Sequence, residues 1–278
     1  MEILIYSGIP GSGKTLDATN DALKHFKKEN NLIKKIAVTV LAKLGVAKAK
    51  DKLNYYKLFP HRKINNVYSS YPILLDKKHN IYSNKWNIFD FNNKWSFLPN
   101  AFFVDDEIQL KIDSDEYKDK DKNAIISKIA KFMQSARHFG CAGIVLCTQH
   151  PSRAFKKCRN VASGFVQHKK MFKIPILDVG FIKTIRYFIL EDYGKYIPKS
   201  REERKKLPFE YKKSLKFMNF KKVFAAYDSR YLSKYNYDKP LLNKGTYTTL
   251  KVEYEELVPY FEAVSYTHLR AHETDQYL

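Results

Sequence analysis

Apolar and polar positions follow two different periods along this chain, and the segments that carry each period are cleanly separated. Residues 2–7, EILIYS, form a short apolar run closed by Gly8, the pattern of a strand buried on both faces of a parallel sheet. From Leu16 to Glu29 the period lengthens: Leu16, Thr19, Leu23 and Phe26 recur at helical spacing, and His25, Lys27 and Lys28 gather where a helix dipole favours cations. Residues 33–58, rich in Ala, Leu and Lys, predict helix that ends before Pro60. A short polar-aromatic strand is expected in NNVYSSYPI, stopped by Pro72. Ala101–Val104 reads as a second buried strand, which runs into three consecutive acids, Asp105, Asp106 and Glu107. Residues 113–123 read as a charged loop. After it, residues 124–140 predict an amphipathic helix with Ile125, Ile129, Phe132 or Met133, and Ala136 on one face and Gly140 as its stop. Another buried strand is expected in CAGIVLCTQH, ending in Thr148 and Gln149. Weaker strands are expected at Ser163–Lys170, Thr184–Glu191 and Lys222–Asp228, and residues 198–217 read as a basic helical arm. Alternating helices and apolar strands, with no repeat and no Gly/Ser linker, predict an α/β fold with a mainly parallel central sheet flanked by helices.

Between the first strand and the first helix stands GIPGSGKT, which satisfies the phosphate-loop spacing of Gly, four residues, Gly, Lys, Thr. Such a loop works because glycines let backbone N–H groups curl around phosphates while the helix N-terminus adds positive potential. Gly8, Ile9, Pro10, Gly11, Ser12, Gly13, Lys14, Thr15 and Leu16 are therefore the expected ATP-binding residues, with Lys14 reaching the outer phosphates and Thr15 offering its hydroxyl to Mg2+. Hydrolysis also requires an acid on the metal's water shell and a carboxylate that orients the attacking water, both at the end of a neighbouring strand. The triplet after Val104 offers them: Asp106 on the metal side and Glu107 as base, or Asp105 and Asp106 as the pair. Gln149, at the tip of the following strand, is a candidate γ-phosphate sensor. Arg137, Arg153 and Arg159 are candidates to complete a neighbouring subunit's site, and His138 reads as a packing residue.

Charge adds a partner. Fifty Lys and Arg stand against 29 acids, a net charge of +21, and the excess is concentrated. Between Lys24 and Lys63 there are twelve basic residues and two acids, and between Lys156 and Lys222 nineteen and six. Blocks of this kind, interleaved with Tyr55, Tyr56, Phe172, Tyr187, Tyr193 and Tyr211, suit a polyanion or an anionic membrane face. Cys141, Cys147 and Cys158 lack metal-ligand or disulfide spacing and read as buried thiols of a reducing compartment. The longest apolar stretch, Met171–Leu190, is interrupted by Lys173, Asp178, Lys183 and Arg186, too many charges for a membrane span.

These residues, taken in order, carry a family resemblance. YSGIPGSGKTLDA, VYSSYPI, FFVDDEIQ, SARHFGCAGIVLCTQHPSR, RNVASGF and AAYDSRYL resemble the zonular occludens toxin-like family, the assembly ATPases of filamentous phages, over most of residues 1–232. The resemblance implies a P-loop NTPase of the RecA-like, strand-inserted type, lying at the cytoplasmic face of the host inner membrane and followed by a membrane-spanning helix. It implies a motor that exports phage single-stranded DNA in company with phage assembly proteins. As a motor it is expected to form a homo-oligomeric ring with an arginine reaching across each boundary. Two departures stand out: residues 33–63 look like a basic insertion, and no membrane span follows. Residues 233–263 read as an extension toward such a span, and residues 264–278, VSYTHLRAHETDQYL, resemble translated sequencing-adaptor text, so the natural chain is expected to continue differently after Ala263. Alternatives are a DNA-packaging or plasmid-transfer ATPase, a small-molecule kinase with SREERKK as its lid, and a binding module with a vestigial loop. A GTPase is disfavoured because neither N-K-x-D nor D-x-x-G occurs.

Overall fold

In the computed structural model, which describes residues 1–57, 63–86, 88, 97–98, 100–111, 120–138, 140–150, 153–174, 177–188 and 211–227, the first strand lies inside the sheet. This strand, β1 (Glu2–Ser7), is paired in parallel on one side with β7 (Gly143–Thr148) and on the other with β8 (Gly164–Ile174). Beyond β7 the parallel order continues through β6 (Phe102–Asp105), β2 (Val67–Ser69) and β5 (Asn84–Lys85). Beyond β8 the direction reverses: β9 (Val179–Phe188) and then β10 (Tyr211–Asn219) add antiparallel strands. A separate small hairpin joins β3 (Leu74–Asp76) and β4 (Ile81–Tyr82). Placing β7 between the strand that feeds the phosphate loop and the strand that ends in acids makes the sheet a strand-inserted P-loop NTPase sheet.

The continuous apolar run of β1 is explained by burial on both faces. Leu4 and Tyr6 point to α1 (Lys14–Glu29), whose Leu16, Ala22, Leu23 and Phe26 fill one core together with Val104, Val145 and Val166. Ile3 and Ile5 point the other way, to α4 (Lys120–Ser135), whose Ile126, Ile129, Phe132 and Met133 pack with Phe103, Ile144, Leu146 and Phe165. A period of two on the strands and of 3.6 on the helices thus meet across each face.

Several expectations change in detail. The helix expected over residues 33–58 is two, α2 (Leu32–Lys43) and α3 (Ala47–Lys57), because Gly45, at φ +89°, ends the first. The start of α4, Lys120, falls inside the stretch read as a charged loop. The strand expected at Lys222–Asp228 is corrected: Phe220–Phe224 forms a short helix, named α6 here after α5 (Lys156–Asn160), whose start is fixed by the Asn219 side chain accepting from the Lys222 amide at 2.9 Å. The basic helical arm is also corrected where it is described, since Tyr211–Asn219 is strand β10. Its Lys216 and Met218 turn inward while Leu215 and Phe217 face water, an alternation that the lysines disguise. Residues 198–210, the 233–263 extension and residues 264–278 lie outside the described residues. Among the described residues no helix is long and apolar enough to cross a membrane. The described residues of the stretch Met171–Leu190, 171–174 and 177–188, belong instead to the β8–β9 hairpin.

That hairpin is longer than the strand it flanks. Only Gly164–Gln167 of β8 pair with β1, and the rest of β8, after a register shift between His168 and Lys170, pairs with β9 alone. Gly180 is buried at its far end, where a Cβ would lie 2.0 Å from the Phe172 carbonyl oxygen and 2.6 Å from the Phe220 ring. Gly180→Ala is expected to destabilise the fold by about 1–3 kcal/mol, read as a lower urea midpoint by circular dichroism; an unchanged midpoint would show that the hairpin yields freely there.

Candidate nucleotide site

The phosphate loop leaves the carboxyl end of β1, the edge at which an open α/β sheet places its ligands. Its backbone requires glycine at both ends. Gly8 donates its N–H to the Gln149 carbonyl at 3.3 Å, and a Cβ there would fall 2.5 Å from the His168 carbonyl oxygen. Gly13 caps α1 in the left-handed region, φ +93°, and no side chain caps the helix N-terminus. Among the described residues no side-chain cap answers the first N–H groups of α1, which open toward the loop, the arrangement that receives an anion. Ile9, Pro10 and Gly11 are exposed at the loop tip, whereas Ser12 and Lys14 are buried and Leu16 anchors the helix in the core.

Thr15 donates its hydroxyl to Asp106 Oδ2 at 3.0 Å, closing loop and acid strand together. The Asp106 amide donates to Ser70 Oγ at 3.0 Å, and its second carboxylate oxygen, Oδ1, is buried with no hydrogen-bond partner among the described residues. That unanswered oxygen beside the Thr15 hydroxyl fits Mg2+, a hard cation that takes one or two protein oxygens and completes its shell with phosphate and water. Burial pushes the Asp106 carboxyl up to about 6, the neighbouring charge of Glu107 adds to the rise, and the Thr15 hydrogen bond and Lys14 oppose it.

Glu107 sits in the left-handed region at φ +51°, an unusual conformation for a residue with a Cβ and one that costs about 1–3 kcal/mol. The turn aims its carboxylate back across the sheet, where it accepts from the Gln109 side chain and, at 3.4 Å, from Gln149 Nε2. Lys14, Thr15, Asp106, Glu107 and Gln149 therefore share one edge of the sheet. Asp105 does not join them. Consecutive strand residues face opposite ways, and Asp105 is turned to the α4 side, where it accepts from the Ile88 amide at 2.9 Å and pairs with Lys111. Asp105, expected among the metal ligands, thus faces away from the loop, and of the two expected pairs it is Asp106 and Glu107, not Asp105 and Asp106, that the fold brings to the loop edge.

The arginines are distributed over both edges. Arg137 and His138 follow α4, which returns to the edge where β7 begins, so they stand at the opposite end of the sheet from this chain's own loop. Arg159 lies in α5, ahead of the start of β8, and Arg153 alone follows the carboxyl end of β7, exposed on the loop side. Sequence reasoning missed Ser70, Gln109 and the Asp17 cluster. Nothing in the sequence marked Asp17, which falls at helical spacing with Asn20, Asp21 and Lys24: fully buried, its Oδ2 meets His168 Nε2 at 3.0 Å and accepts from Lys216 Nζ at 2.6 Å.

Fold, loop and facing acids define a P-loop NTPase of the strand-inserted type. The chain belongs to the zonular occludens toxin (Zot) family, whose model matches residues 2–187. Among solved structures, the N-terminal domain of zonular occludens toxin from Neisseria meningitidis is similar at 16% identity, covering 82% of this chain and 98% of that one with a TM-score of 0.44. The genome packaging NTPase of Sulfolobus turreted icosahedral virus 2, in complex with ATP-gammaS, is similar at 14% identity over 78% of this chain and 96% of its own, TM-score 0.32. A KaiC-like protein from Pyrococcus horikoshii follows at 13% identity, 77% and 84% coverage and TM-score 0.31. No curated protein sequence matches the chain.

The raised Asp106 carboxyl sets a pH dependence. Between its unfolded value near 4 and about 6, the folded chain keeps a proton that the unfolded chain has lost, so this group lowers stability as pH rises through that window. Without Mg2+, the stability difference between wild type and Asp106→Asn should shift in the variant's favour by about 2–3 kcal/mol from pH 4 to pH 7, measured by urea titration. A difference that stays constant with pH would place Asp106 in a solvated setting.

Proposed function

We propose that this chain is the ATPase motor of a filamentous phage, working at the cytoplasmic face of the host inner membrane and coupling ATP hydrolysis to virion assembly and export of single-stranded DNA. The observation that carries the nucleotide half is the Thr15–Asp106 hydrogen bond, with Glu107 and Gln149 facing it from adjacent strand ends. In this reading the loop amides and Lys14 hold the phosphates, and Thr15 and Asp106 would hold a Mg2+ ion, which would supply positive charge to offset that developing on the phosphates. Glu107 accepts a proton from water as its oxygen attacks the γ-phosphorus and the bond to the ADP oxygen breaks. Gln149, hydrogen-bonded to Glu107, is placed to link that carboxylate to the γ-phosphate. Arg153, on the loop side, and Arg137, at the far edge, are the candidates to act on a neighbouring subunit in a ring.

The DNA half is supported by the ribbon of β8, β9 and β10. Its described strands carry exposed Lys169, Lys170, Lys173, Lys183, Lys212 and Lys213, and the only acid between them among the described residues, Asp178, pairs with Lys173 at 2.9 Å. Cross-strand register puts Phe172, Phe181 and Phe217 in one row on its outer face. Phe172 and Phe217 are 44% and 60% exposed, Phe181 and Phe217 lie 5.4 Å apart, and Lys170 sits 4.9 Å over Phe172. Cations for phosphates beside aromatic faces for unpaired bases are what single-strand binding uses. On the other side, Ile182 of the same ribbon lies against Gly13 of the phosphate loop.

Lys14→Ala is expected to abolish ATP turnover, whereas Glu107→Gln should retain ATP binding and lose hydrolysis by at least about a hundredfold. Phosphate release at the native rate in Glu107→Gln would overturn the assignment of the base. Turnover should rise with single-stranded DNA, and the rise should fade with salt. Neutralising Lys170 and Lys183 should flatten the salt dependence of DNA affinity by about 0.7 in log–log slope per lost phosphate contact. Equal stimulation by duplex would favour a packaging or transfer motor, and transfer of phosphate to a small-molecule acceptor would make the protein a kinase.

A further inference from the structure

The helix α2 is amphipathic in the reverse sense. Two of its three lysines turn toward the protein: Lys34 donates to the buried Glu29 at 2.9 Å, and Lys35 lies 5.6 Å over the Tyr56 ring. Its apolar side chains turn to solvent. Leu32, Ile33, Ile36, Val40 and Leu41 are exposed, as is Leu44 just beyond the helix, and Ile33 and Leu44 reach 77% and 74%. At 100° per residue these positions fall on one arc, with Lys43 inside it between Leu32 and Ile36 in projection, so they form an aliphatic stripe about 18 Å long that carries one lysine. The only buried residue of the helix is Ala42.

The rim of the stripe identifies its partner. Lys24, Lys27 and Lys28 on α1, Lys43 on α2 and Lys50 on α3 are exposed, while the single acid between residues 24 and 50, Glu29, is buried. A second copy docking here would set lysines against lysines. Nucleic acid would gain its phosphate contacts but find no aromatic face in a stripe of Leu, Ile and Val. An anionic bilayer answers both features, with acyl chains for the aliphatic side chains and headgroup phosphates for the lysines. We propose that α2 is a membrane-docking element that lies in the plane of an anionic lipid surface, fixing the NTPase domain against it independently of any membrane-spanning helix. This site needs neither nucleotide nor hydrolysis, so it stands or falls apart from the proposed motor activity.

The chain of residues 1–278, without nucleotide, is mixed with vesicles of phosphatidylcholine and phosphatidylglycerol in equal parts, or of phosphatidylcholine alone, and bound protein is read by flotation. Wild type should float with the anionic vesicles and not with the neutral ones. Ile36→Ser/Val40→Ser, at exposed positions that leave the urea midpoint and ATP turnover unchanged, should weaken binding at least about tenfold, and Ile36→Leu/Val40→Leu should restore it. Lys27→Gln/Lys28→Gln/Lys43→Gln should weaken anionic-vesicle binding and make what remains insensitive to salt. Unaltered flotation of the Ser variant would assign the binding to lysines elsewhere and overturn the proposal. So would a lipid-free wild-type dimer that the Ser variant dissociates, since a second copy would then own the stripe. Failure to float, with chemical cross-links from α2 to residues 228–263, would overturn it as well by showing the stripe covered by the chain's own extension.

Discussion

Asp17 is a carboxylate without access to water, and the position of the phosphate loop depends on how its charge is met. Burial alone would raise the carboxyl, but the hydrogen bond with His168 and the charge of Lys216 outweigh it and hold Asp17 below the ordinary carboxylate range. One turn further on, Asp21 is driven the other way, up, by burial and by the charge of Asp17, and its Oδ2 accepts from the Tyr6 hydroxyl at 2.6 Å. Three strands are thereby fixed to one helix: β1 through Tyr6, β8 through His168 and β10 through Lys216. A buried charge that loses its partner costs several kcal/mol, so α1 cannot rotate or slide without breaking a costly contact. Since Asp17 lies in the first turn of α1, the loop that precedes it inherits that fixity.

The legible parts of the fold were those where burial leaves little choice of residue. Strands β1, β6 and β7 are sandwiched between two cores and read as unbroken apolar runs, and α1 and α4 show their buried faces at helical spacing. The misread parts lie at the basic end of the chain. In β10 the inward position is held by Lys216, a long side chain whose ammonium reaches the buried Asp17, so the apolar-polar alternation that marks a half-buried strand is broken at its centre. At Lys222–Asp228 aromatic and β-branched residues suggested a strand, but Asn219 caps a helical turn over Phe220–Phe224 whose Phe220 and Val223 complete the α1 core.

The nucleotide site divides in a similar way. Lys14, Thr15, Glu107 and Gln149 were visible because a short loop and two strand ends dictate them. Distinguishing Asp105 from Asp106 required knowing which face of β6 each carbon points to, and the neighbours that settle it, Ile88 and Lys111, carry no signature of that role. Ser70 is 36 residues from the amide it holds, and His168 and Lys216 are 151 and 199 residues from Asp17. Pairings over such separations leave no periodic mark in a single sequence. Composition likewise placed the two lysine-rich blocks in one class, although the first surrounds an aliphatic stripe and the second is interleaved with exposed phenylalanines.

The overhang of β8 has a mechanical meaning. Four residues of this eleven-residue strand are clamped to β1, so the ribbon it forms with β9 and β10 is a stiff beam built in at one end. The beam leaves its clamp at His168, whose carbonyl oxygen leaves Gly8 no room for a Cβ and whose ring meets Asp17. Any bending moment applied at the tip is therefore greatest at the fulcrum where the phosphate loop rests. The ribbon and the phosphate loop meet at this one point, and neither can shift there without being felt by the other.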